Sequence, residues 1–428
     1  MNNTETKVSD EFSSFIKRKC INDNSVTCQM NDQKLYEITS FIAHEIPKCK
    51  TIGISLDDLR DGKVLAKGGF GYSYITAMNN NDRKKIIKVA ICTDINIIND
   101  LKSELHLHSE LINSKFDVFI KLIGYFVRNQ QNEYEYYDYS NKYKKVVCKI
   151  KPTIKNVPTS GCEIYMILEA GYGDLTKYMS DKIVEHNGLL NALSAKKSYN
   201  VDTLTKLVKS YQVSEYFLDK YGKIFIHNDI KIENIVYITD KNFKFIDFGL
   251  SDLIDTFFVF NDIKGTDFTY EMLYGVPQHT NILQKHRYSG RIKSPLYDMF
   301  CVCIAIFEFI CYRTLDLVDR NTNLYQKLWR VKQIVEENNF SYDMKNLINN
   351  LISLTTLIYD FHQNNLNELI KTGDYNKYIQ LNNMKNFIVP SIYNNEAPAY
   401  KVKTNSVLYN DYYYFNKIVK YYLNLSKC

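Results

Sequence analysis

Residues 227–234 have the sequence His-Asn-Asp-Ile-Lys-Ile-Glu-Asn. Asp229 has a carboxylate that can orient a hydroxyl group and accept its proton. Two residues later, Lys231 can neutralise a phosphoryl group in transit, and Asn234 can bind a metal ion through its amide oxygen. These three residue types at this spacing are compatible with phosphoryl-transfer chemistry.

A second polar segment, Asp-Phe-Gly, occupies residues 247–249 and follows the apolar run 243–246. A carboxylate at the end of a strand and before a flexible glycine suits a divalent cation that is held against phosphate oxygens. Either segment alone can arise by chance. Their occurrence in this order, downstream of a glycine-rich turn, favours a common function.

The glycine-rich turn lies at residues 65–71, Leu-Ala-Lys-Gly-Gly-Phe-Gly. Glycines let backbone N–H groups approach phosphate oxygens closely, although such a sequence is also typical of an ordinary tight turn. Lys88 follows, inside the apolar run 86–90. A lysine in such a strand is costly to bury unless it meets an anion.

The next helical pattern, residues 98–111, offers two carboxylates to Lys88, those of Glu104 and Glu110. Glu104 lies beside the leucine stripe of this helix, which favours it as the partner of Lys88. Glu110 is expected to be solvated.

Taken together, these segments resemble the signature set of the protein kinase superfamily, over about residues 59–312. The resemblance implies ATP with Mg²⁺ or Mn²⁺ as cofactors and proteins as substrates. It assigns Asp229 as the catalytic base and Lys231 as the lysine that neutralises the phosphoryl group. It assigns Asn234 and Asp247 as metal ligands. The residues that it assigns to ATP binding are Ala66, Gly68, Gly69, Phe70, Gly71, Lys88, Glu104, Glu169, Ala170 and Asp174.

Within that assignment, Glu169 and Ala170 resemble the hinge beside adenine, and Asp174 resembles the polar residue near the ribose. Asp298 resembles the aspartate that braces the catalytic loop. A lysine at the position of Lys231 is typical of serine/threonine kinases rather than tyrosine kinases.

The chain also departs from the pattern of the family. Ala66 stands where the family usually has the first loop glycine, and Ser73 stands where it usually has a valine. Asn228 stands in place of the usual arginine, and Ile232 in place of the usual proline. The Ala-Pro-Glu expected after Gly-Thr at residues 265–266 is absent, so the substrate-docking region is expected to differ.

Asn228 has a consequence for regulation. In many related kinases, the arginine at this position pairs with a phosphate on the activation segment. An amide cannot neutralise such a phosphate, so we expect activity without phosphorylation of this segment. Lys244 and Lys264 remain alternative sources of positive charge.

A strand-rich first half precedes a helix-rich second half, which predicts an α+β chain with a bilobal, protein-kinase-like fold. The expected divisions are an N-terminal extension (1–55), a small β-rich lobe (56–170), a larger helical lobe (171–390) and a Tyr-rich tail (391–428). An insertion, rich in Tyr, Asn and Lys, is expected at about 128–160 and is interpreted as a solvated hairpin or loop.

The composition is that of a globular protein: of 428 residues, 45% are hydrophobic and 24% charged. The net charge of +6 is too weak at this length to predict nucleic-acid or membrane-surface binding. The ten cysteines show no CxxC pair, and the N-terminus has no signal-peptide pattern, so we expect an intracellular, cytoplasmic protein without a membrane span. Heavy use of Tyr, Asn, Ile, Lys and Phe is typical of AT-rich genomes such as those of large DNA viruses or protists. For a viral protein, the host cytoplasm or the virion is the expected location.

Two other functions are compatible with parts of the pattern. A pseudokinase scaffold would share the fold, but here every acid, base and metal position is filled. A small-molecule kinase of the aminoglycoside or choline type shares the spacing from Asp229 to Asn234. Phe248, Gly249 and Lys231 favour a protein kinase over that class.

Overall fold

The computed structural model describes fourteen stretches of the chain, and it groups them into two compact units, Met1–Gly171 and Tyr172–Cys428. The described residues are 41–42, 46–49, 63–68, 71–75, 85–92, 95–128, 133–138, 145–150, 162–185, 201–262, 290–311, 324–338, 340–372 and 406–423. Among them, no helix is both long and apolar enough to cross a membrane.

The first unit contains a seven-stranded antiparallel sheet with the strand order β1-β2-β3-β7-β4-β5-β6. Its strands are β1 (Lys63–Gly68), β2 (Gly71–Ile75), β3 (Lys85–Cys92), β4 (Leu122–Arg128), β5 (Tyr134–Asp138), β6 (Lys145–Ile150) and β7 (Cys162–Glu169). Helix α1 (Ile95–Asn113) connects β3 to β4. Short connections between most strands favour this antiparallel order.

The two faces of this sheet differ because side chains alternate along each strand. On one face, Lys88 lies opposite Met166, and Met166 packs in an apolar cluster with Leu105 of α1. On the other face, Tyr165 and Phe126 are fully buried. The sheet is therefore covered on both sides, and Lys88 lies on the side of α1.

A short part of the N-terminal extension covers the second face. Phe41 packs against three aromatic rings. The distance between ring centroids is 4.1 Å to Tyr134, 4.4 Å to Tyr165 and 5.5 Å to Phe126. Ile42 is also buried. This segment of the extension is thus part of the core of the first unit.

The region predicted as an insertion contributes two strands to the sheet. β5 pairs with β4, and β6 pairs with β5 at the edge of the sheet. Tyr134 and Tyr136 are buried, so β5 is a core strand rather than part of a solvated loop. The alternating aromatic residues of β5 are the sequence signal for this strand.

The second unit is mainly helical. Its helices are α2 (Leu175–Glu185), α3 (Val201–Val208), α4 (Val213–Tyr221), α5 (Pro295–Cys311), α6 (Leu324–Glu337), α7 (Tyr342–Thr372) and α8 (Ser406–Tyr422). Its strands are β8 (Gly173–Asp174), β9 (Ile224–Ile226), β10 (Ile235–Thr239), β11 (Asn242–Phe245), β12 (Asp252–Ile254), β13 (Val259–Asp262) and β14 (Gly290–Lys293). They form three small sheets, β11-β10-β8, β12-β9 and β13-β14.

The helical region that ends at Gly222 is divided in the structure. A 3₁₀ turn, Lys209–Gln212, separates α3 from α4. Gly222 ends α4 with φ of 65°, and its N–H donates to the carbonyl of Leu218. This left-handed C-cap is the conformation for which glycine is favoured.

The Tyr-rich tail, for which the sequence predicted no structure, contains helix α8. Its buried side chains recur at helical spacing and include Phe415 and Val419, both fully buried. Tyr409 donates a hydrogen bond to the carbonyl of Leu218, and Tyr412 donates to that of Tyr211. The tail helix is therefore packed against α4 and the 3₁₀ turn before it.

The structure confirms the predicted α+β class, with a β-rich first unit and a mainly helical second unit. The predicted division points at residues 55, 170 and 390 stay predictions.

Candidate active site

The loop that carries Asp229 begins directly after β9 and is held by Asp298 in the first turn of α5. Asp298 Oδ2 accepts a hydrogen bond from the N–H of His227 (2.5 Å), and Oδ1 accepts one from the N–H of Asn228 (2.9 Å). The bracing role implied for Asp298 is thus confirmed. Because α5 is almost wholly apolar and buried, this carboxylate fixes the loop to the core of the second unit.

The Asp229 carboxylate is surrounded by donors from its own loop. Lys231 Nζ lies 3.2 Å from Oδ1 and 3.0 Å from Oδ2. Asn234 Nδ2 donates to Oδ2 (2.7 Å) and to the backbone carbonyl of Asp229 (2.9 Å). The side chains of Asp229 and Lys231 are 12% and 7% exposed, so the pair is screened only weakly by solvent. These contacts hold the carboxylate in one orientation, as a proton acceptor requires.

Asn234 and Asp247 are brought near each other by backbone pairing. The N–H of Ile246 donates to the carbonyl of Asn234 (2.9 Å), and Ile235 pairs with Phe245 between β10 and β11. Asp247 is exposed, and its φ of 64° lies in the left-handed region, which is uncommon for a residue other than glycine. Residues with uncommon backbone conformations cluster at functional sites, so the Asp247 carboxylate is a candidate functional group.

The chemistry of this pair fits Mg²⁺. Both N–H bonds of the Asn234 amide are directed to Asp229, which leaves its Oδ1 as an acceptor. An amide oxygen and the Asp247 carboxylate are hard oxygen ligands, and Mg²⁺ commonly takes one or two of these together with waters and phosphate oxygens. In the described part of the chain, no group of three or more His, Cys, Asp or Glu side chains forms an all-protein metal site.

His227 is a buried part of the same loop. Its Nδ1 accepts a hydrogen bond from the N–H of Asp229 (3.3 Å), which requires a neutral ring. Burial lowers the pKa of His227, and the negative charge of Asp298 opposes this only in part. The imidazole is therefore a neutral support of the loop.

In the first unit, Lys88 lies in the middle of β3 and pairs with the first of its two candidate partners. Its Nζ is 2.6 Å from Oε1 of Glu104 on α1. Glu104 is 5% exposed and Lys88 is 23% exposed, so the ammonium group reaches solvent while its partner is buried. Glu110, expected to be solvated, is also buried because helix α1 packs on two sides.

The glycine-rich turn joins β1 to β2. Gly68 and Gly71 pair at the end of the ladder, and Ala66 lies at an irregularity in the register of β1. Gly69 and Phe70 lie outside the described residues. Their part in ATP binding stays a prediction.

The residues assigned to adenine and ribose lie at the end of β7 and after it. The N–H of Glu169 donates to the carbonyl of Lys121 (2.9 Å), and both Glu169 and Ala170 are buried. In the second unit, Asp174 Oδ1 accepts the N–H of Lys177 (2.7 Å) and caps the start of α2. The sequence did not predict this capping role.

Three further links near the catalytic loop were not predicted from the sequence. Asn228 Nδ2 donates to the carbonyl of Leu250 (3.0 Å), and Ser251 Oγ donates to the carbonyl of His227 (3.1 Å). A third link joins the side chain of Lys293 to that of Asp252 (3.1 Å). Short polar side chains next to a strand are the only sequence signal for such links, and it is weak.

Several known protein kinases are similar in sequence to this chain. The chain is 26% identical over 216 residues, half of its length, to an Aurora kinase of Debaryomyces hansenii. It is 25% identical over 268 residues, 60% of its length, to an Aurora kinase of Yarrowia lipolytica. The matched regions span 40% and 53% of these two relatives.

A third Aurora kinase, of Encephalitozoon cuniculi, is 23% identical over 309 residues, which are 70% of this chain and 89% of the relative. A shorter match, 31% identical over 86 residues, is to a probable serine/threonine-protein kinase KIN1 homolog of the same organism. No protein-family model matches the chain.

Proposed function

Because this chain is a divergent member of the protein kinase superfamily, we propose that it transfers the γ-phosphoryl group of ATP to serine or threonine hydroxyl groups of proteins. The observation that carries the proposal is the setting of Asp229, whose carboxylate is held by Lys231 and Asn234 within one short loop. The relatives support it, since one of them is named a serine/threonine-protein kinase.

In the proposed reaction, the hydroxyl oxygen of the substrate attacks the γ-phosphorus, and the bond from that phosphorus to the bridging oxygen of ADP breaks. Asp229 orients the hydroxyl group and takes its proton. Lys231, whose ammonium group already lies 3.0 Å from Asp229, neutralises charge on the transferred group. ADP leaves with the electron pair of the broken bond.

The remaining residues bind and place ATP. Lys88 contacts the α- and β-phosphates, and Glu104 fixes the direction of its side chain through the 2.6 Å pair. Asn234 and Asp247 would hold Mg²⁺ or Mn²⁺, and the ion would supply positive charge that offsets the negative charge of the phosphates. Asp174 lies near the ribose in this proposal.

Specificity for serine and threonine rests on Lys231, which occupies the position typical of that class. In the structure, Lys231 contacts Asp229 and is itself buried.

The test is an assay with γ-labelled ATP, the purified full chain and three acceptors: a generic basic protein, choline and an aminoglycoside. The proposal predicts label on serine or threonine of the protein acceptor and none on the small molecules. Label on choline or the aminoglycoside alone would assign a small-molecule kinase. Absence of label on every acceptor, with ATP binding retained, would indicate a pseudokinase instead.

A further inference from the structure

Asn228 connects the catalytic loop to the segment that follows Asp-Phe-Gly. Its side chain is buried, and its Nδ2 donates to the carbonyl of Leu250, 3.0 Å away. Leu250 is the first residue after the Asp-Phe-Gly triplet. The side chain of Asn228 therefore acts on backbone only three residues beyond Asp247.

The backbone of Asn228 suits this task. Its φ is 64°, and asparagine adopts the left-handed region more readily than most residues with a side chain. Its N–H is held by Asp298 Oδ1 at 2.9 Å. A side chain on such a fixed backbone has few rotamers to lose when it forms a hydrogen bond.

The bond from Asn228 is the first of several that join the same two stretches. Ser251 Oγ donates to the carbonyl of His227 (3.1 Å). Directly afterwards, β12 pairs with β9, beginning with Asp252 opposite Ile226. Among these contacts, the bond from Asn228 to Leu250 is the nearest to Asp247 along the chain.

Asp247 has the same left-handed φ of 64°, which aspartate, like asparagine, adopts more readily than most other residues with a side chain. The conformation is still uncommon, and neighbouring contacts on both sides of Asp247 hold it. On one side, the N–H of Ile246 is held by the carbonyl of Asn234. On the other side, Asn228 holds Leu250.

We propose that Asn228 is a positioning residue, which fixes the conformation of Asp247 through the carbonyl of Leu250 and so places the carboxylate for its metal ion. This inference rests on the proposed kinase function. The bond is between a neutral amide and a backbone carbonyl, and it requires no charge on the segment.

Two substitutions distinguish the positioning of Asp247 from a general effect on folding stability. Asn228→Asp keeps the shape of the side chain but replaces the donor with an acceptor that repels the carbonyl of Leu250. Asn228→Gly keeps the left-handed backbone available and removes the amide. The matched control is Ser214→Ala, because Ser214 Oγ donates a buried hydrogen bond to the carbonyl of Phe225 (3.1 Å) in β9, before the catalytic loop begins.

The first readout is the Mg²⁺ concentration that gives half-maximal activity. Both Asn228 variants are expected to raise it by about three- to tenfold, as for one lost hydrogen bond, with turnover recovering at high Mg²⁺. Ser214→Ala is expected to leave it unchanged at a similar loss of stability. Equal Mg²⁺ dependence in the three variants and the unchanged protein would overturn the proposal.

The second readout does not need activity. Amide hydrogen exchange of residues 247–252 is expected to be faster in both Asn228 variants than in Ser214→Ala. If the chain transfers no phosphoryl group at all, the proposed function fails while this exchange experiment still tests the placement of Asp247. Unchanged exchange in either Asn228 variant would refute the positioning role.

Discussion

The ring of Phe415 packs against the ring of Phe257, with 5.6 Å between their centroids. Phe415 lies in α8, close to the end of the chain, and Phe257 lies in the segment that follows Asp-Phe-Gly. Phe415 also contacts Tyr211, at 5.4 Å. The tail helix is therefore a structural support of the second unit and of this segment.

Replacing Phe415 with alanine is expected to destabilise the second unit by about 3–5 kcal/mol, because the ring is fully buried. The measurement is urea unfolding followed by far-ultraviolet circular dichroism, which reports the loss of the helices of this unit. Tyr421→Ala on the same helix, where the side chain is 56% exposed, is the control and should change stability by less than about 0.5 kcal/mol. Equal effects of the two substitutions would show that α8 is not part of the core.

The N-terminal extension gives a parallel prediction for the first unit. Phe41→Ala removes a ring that contacts Tyr134 and Tyr165, and it should cost about 3–5 kcal/mol. Amide hydrogen exchange of β5 and β7 measures the loss. Phe116→Ala, at a partly exposed position, is expected to have a smaller effect. Unchanged protection of both strands in Phe41→Ala would mean that the extension does not stabilise the sheet.

The sequence was most informative where chemistry and spacing coincide. The segment 227–234, Lys88 and Glu104 could be singled out because a buried charge or a polar cluster in an apolar context needs a partner. The α+β class followed from the change of hydrophobic period between the two halves. In each case the signal was local in the chain.

The failures concern contacts between residues that are distant in the chain. The packing of Phe41 on β5, and that of Phe415 beside Phe257, joins segments more than 90 residues apart. In a sequence this rich in tyrosine, aromatic residues alone do not show which distant segments pack against each other. The burial of Glu110 was also missed, since helical periodicity reports one face and α1 is covered on two.

His108 makes the first unit sensitive to acid. Its Nε2 donates to the carbonyl of Ile120 (2.7 Å), and burial lowers the pKa of His108 from 6.5 to about 4. As the pH falls, the unfolded chain protonates His108 at a higher pH than the folded chain does. The stabilisation from neutral His108 is therefore fully present above about pH 6.5 and is lost as the pH drops towards 4. The loss over this window is roughly 3 kcal/mol.

The measurement is the free energy of unfolding of the native chain and of His108→Gln between pH 7 and pH 4. Glutamine can donate to the carbonyl of Ile120 but does not titrate. As the pH falls, the free energy of unfolding of His108→Gln should therefore increase relative to that of the native chain. A constant difference over this range would contradict a buried neutral His108.

Phosphatase treatment should leave the specific activity unchanged. The segment after Asp247 is held by the neutral side-chain amide of Asn228 and by the backbone pairing of β12 with β9. Thr256 is exposed and donates to the carbonyl of Phe258 (2.9 Å) without modification. A loss of about tenfold, equivalent to about 1.4 kcal/mol, traced to a phosphorylated site between Asp247 and Glu271, would contradict this expectation.

The central claim, that Asp229 is the catalytic base of a protein kinase, is tested by the rate of phosphoryl transfer from γ-labelled ATP to a protein acceptor in Asp229→Asn. The variant keeps the size of the side chain and the donors around it. Asp219→Asn, at an exposed position on α4, is the control for the loss of one carboxylate. We predict that Asp229→Asn loses at least about a hundredfold in rate while it unfolds like the control. A rate in Asp229→Asn close to that of the control would contradict the assignment.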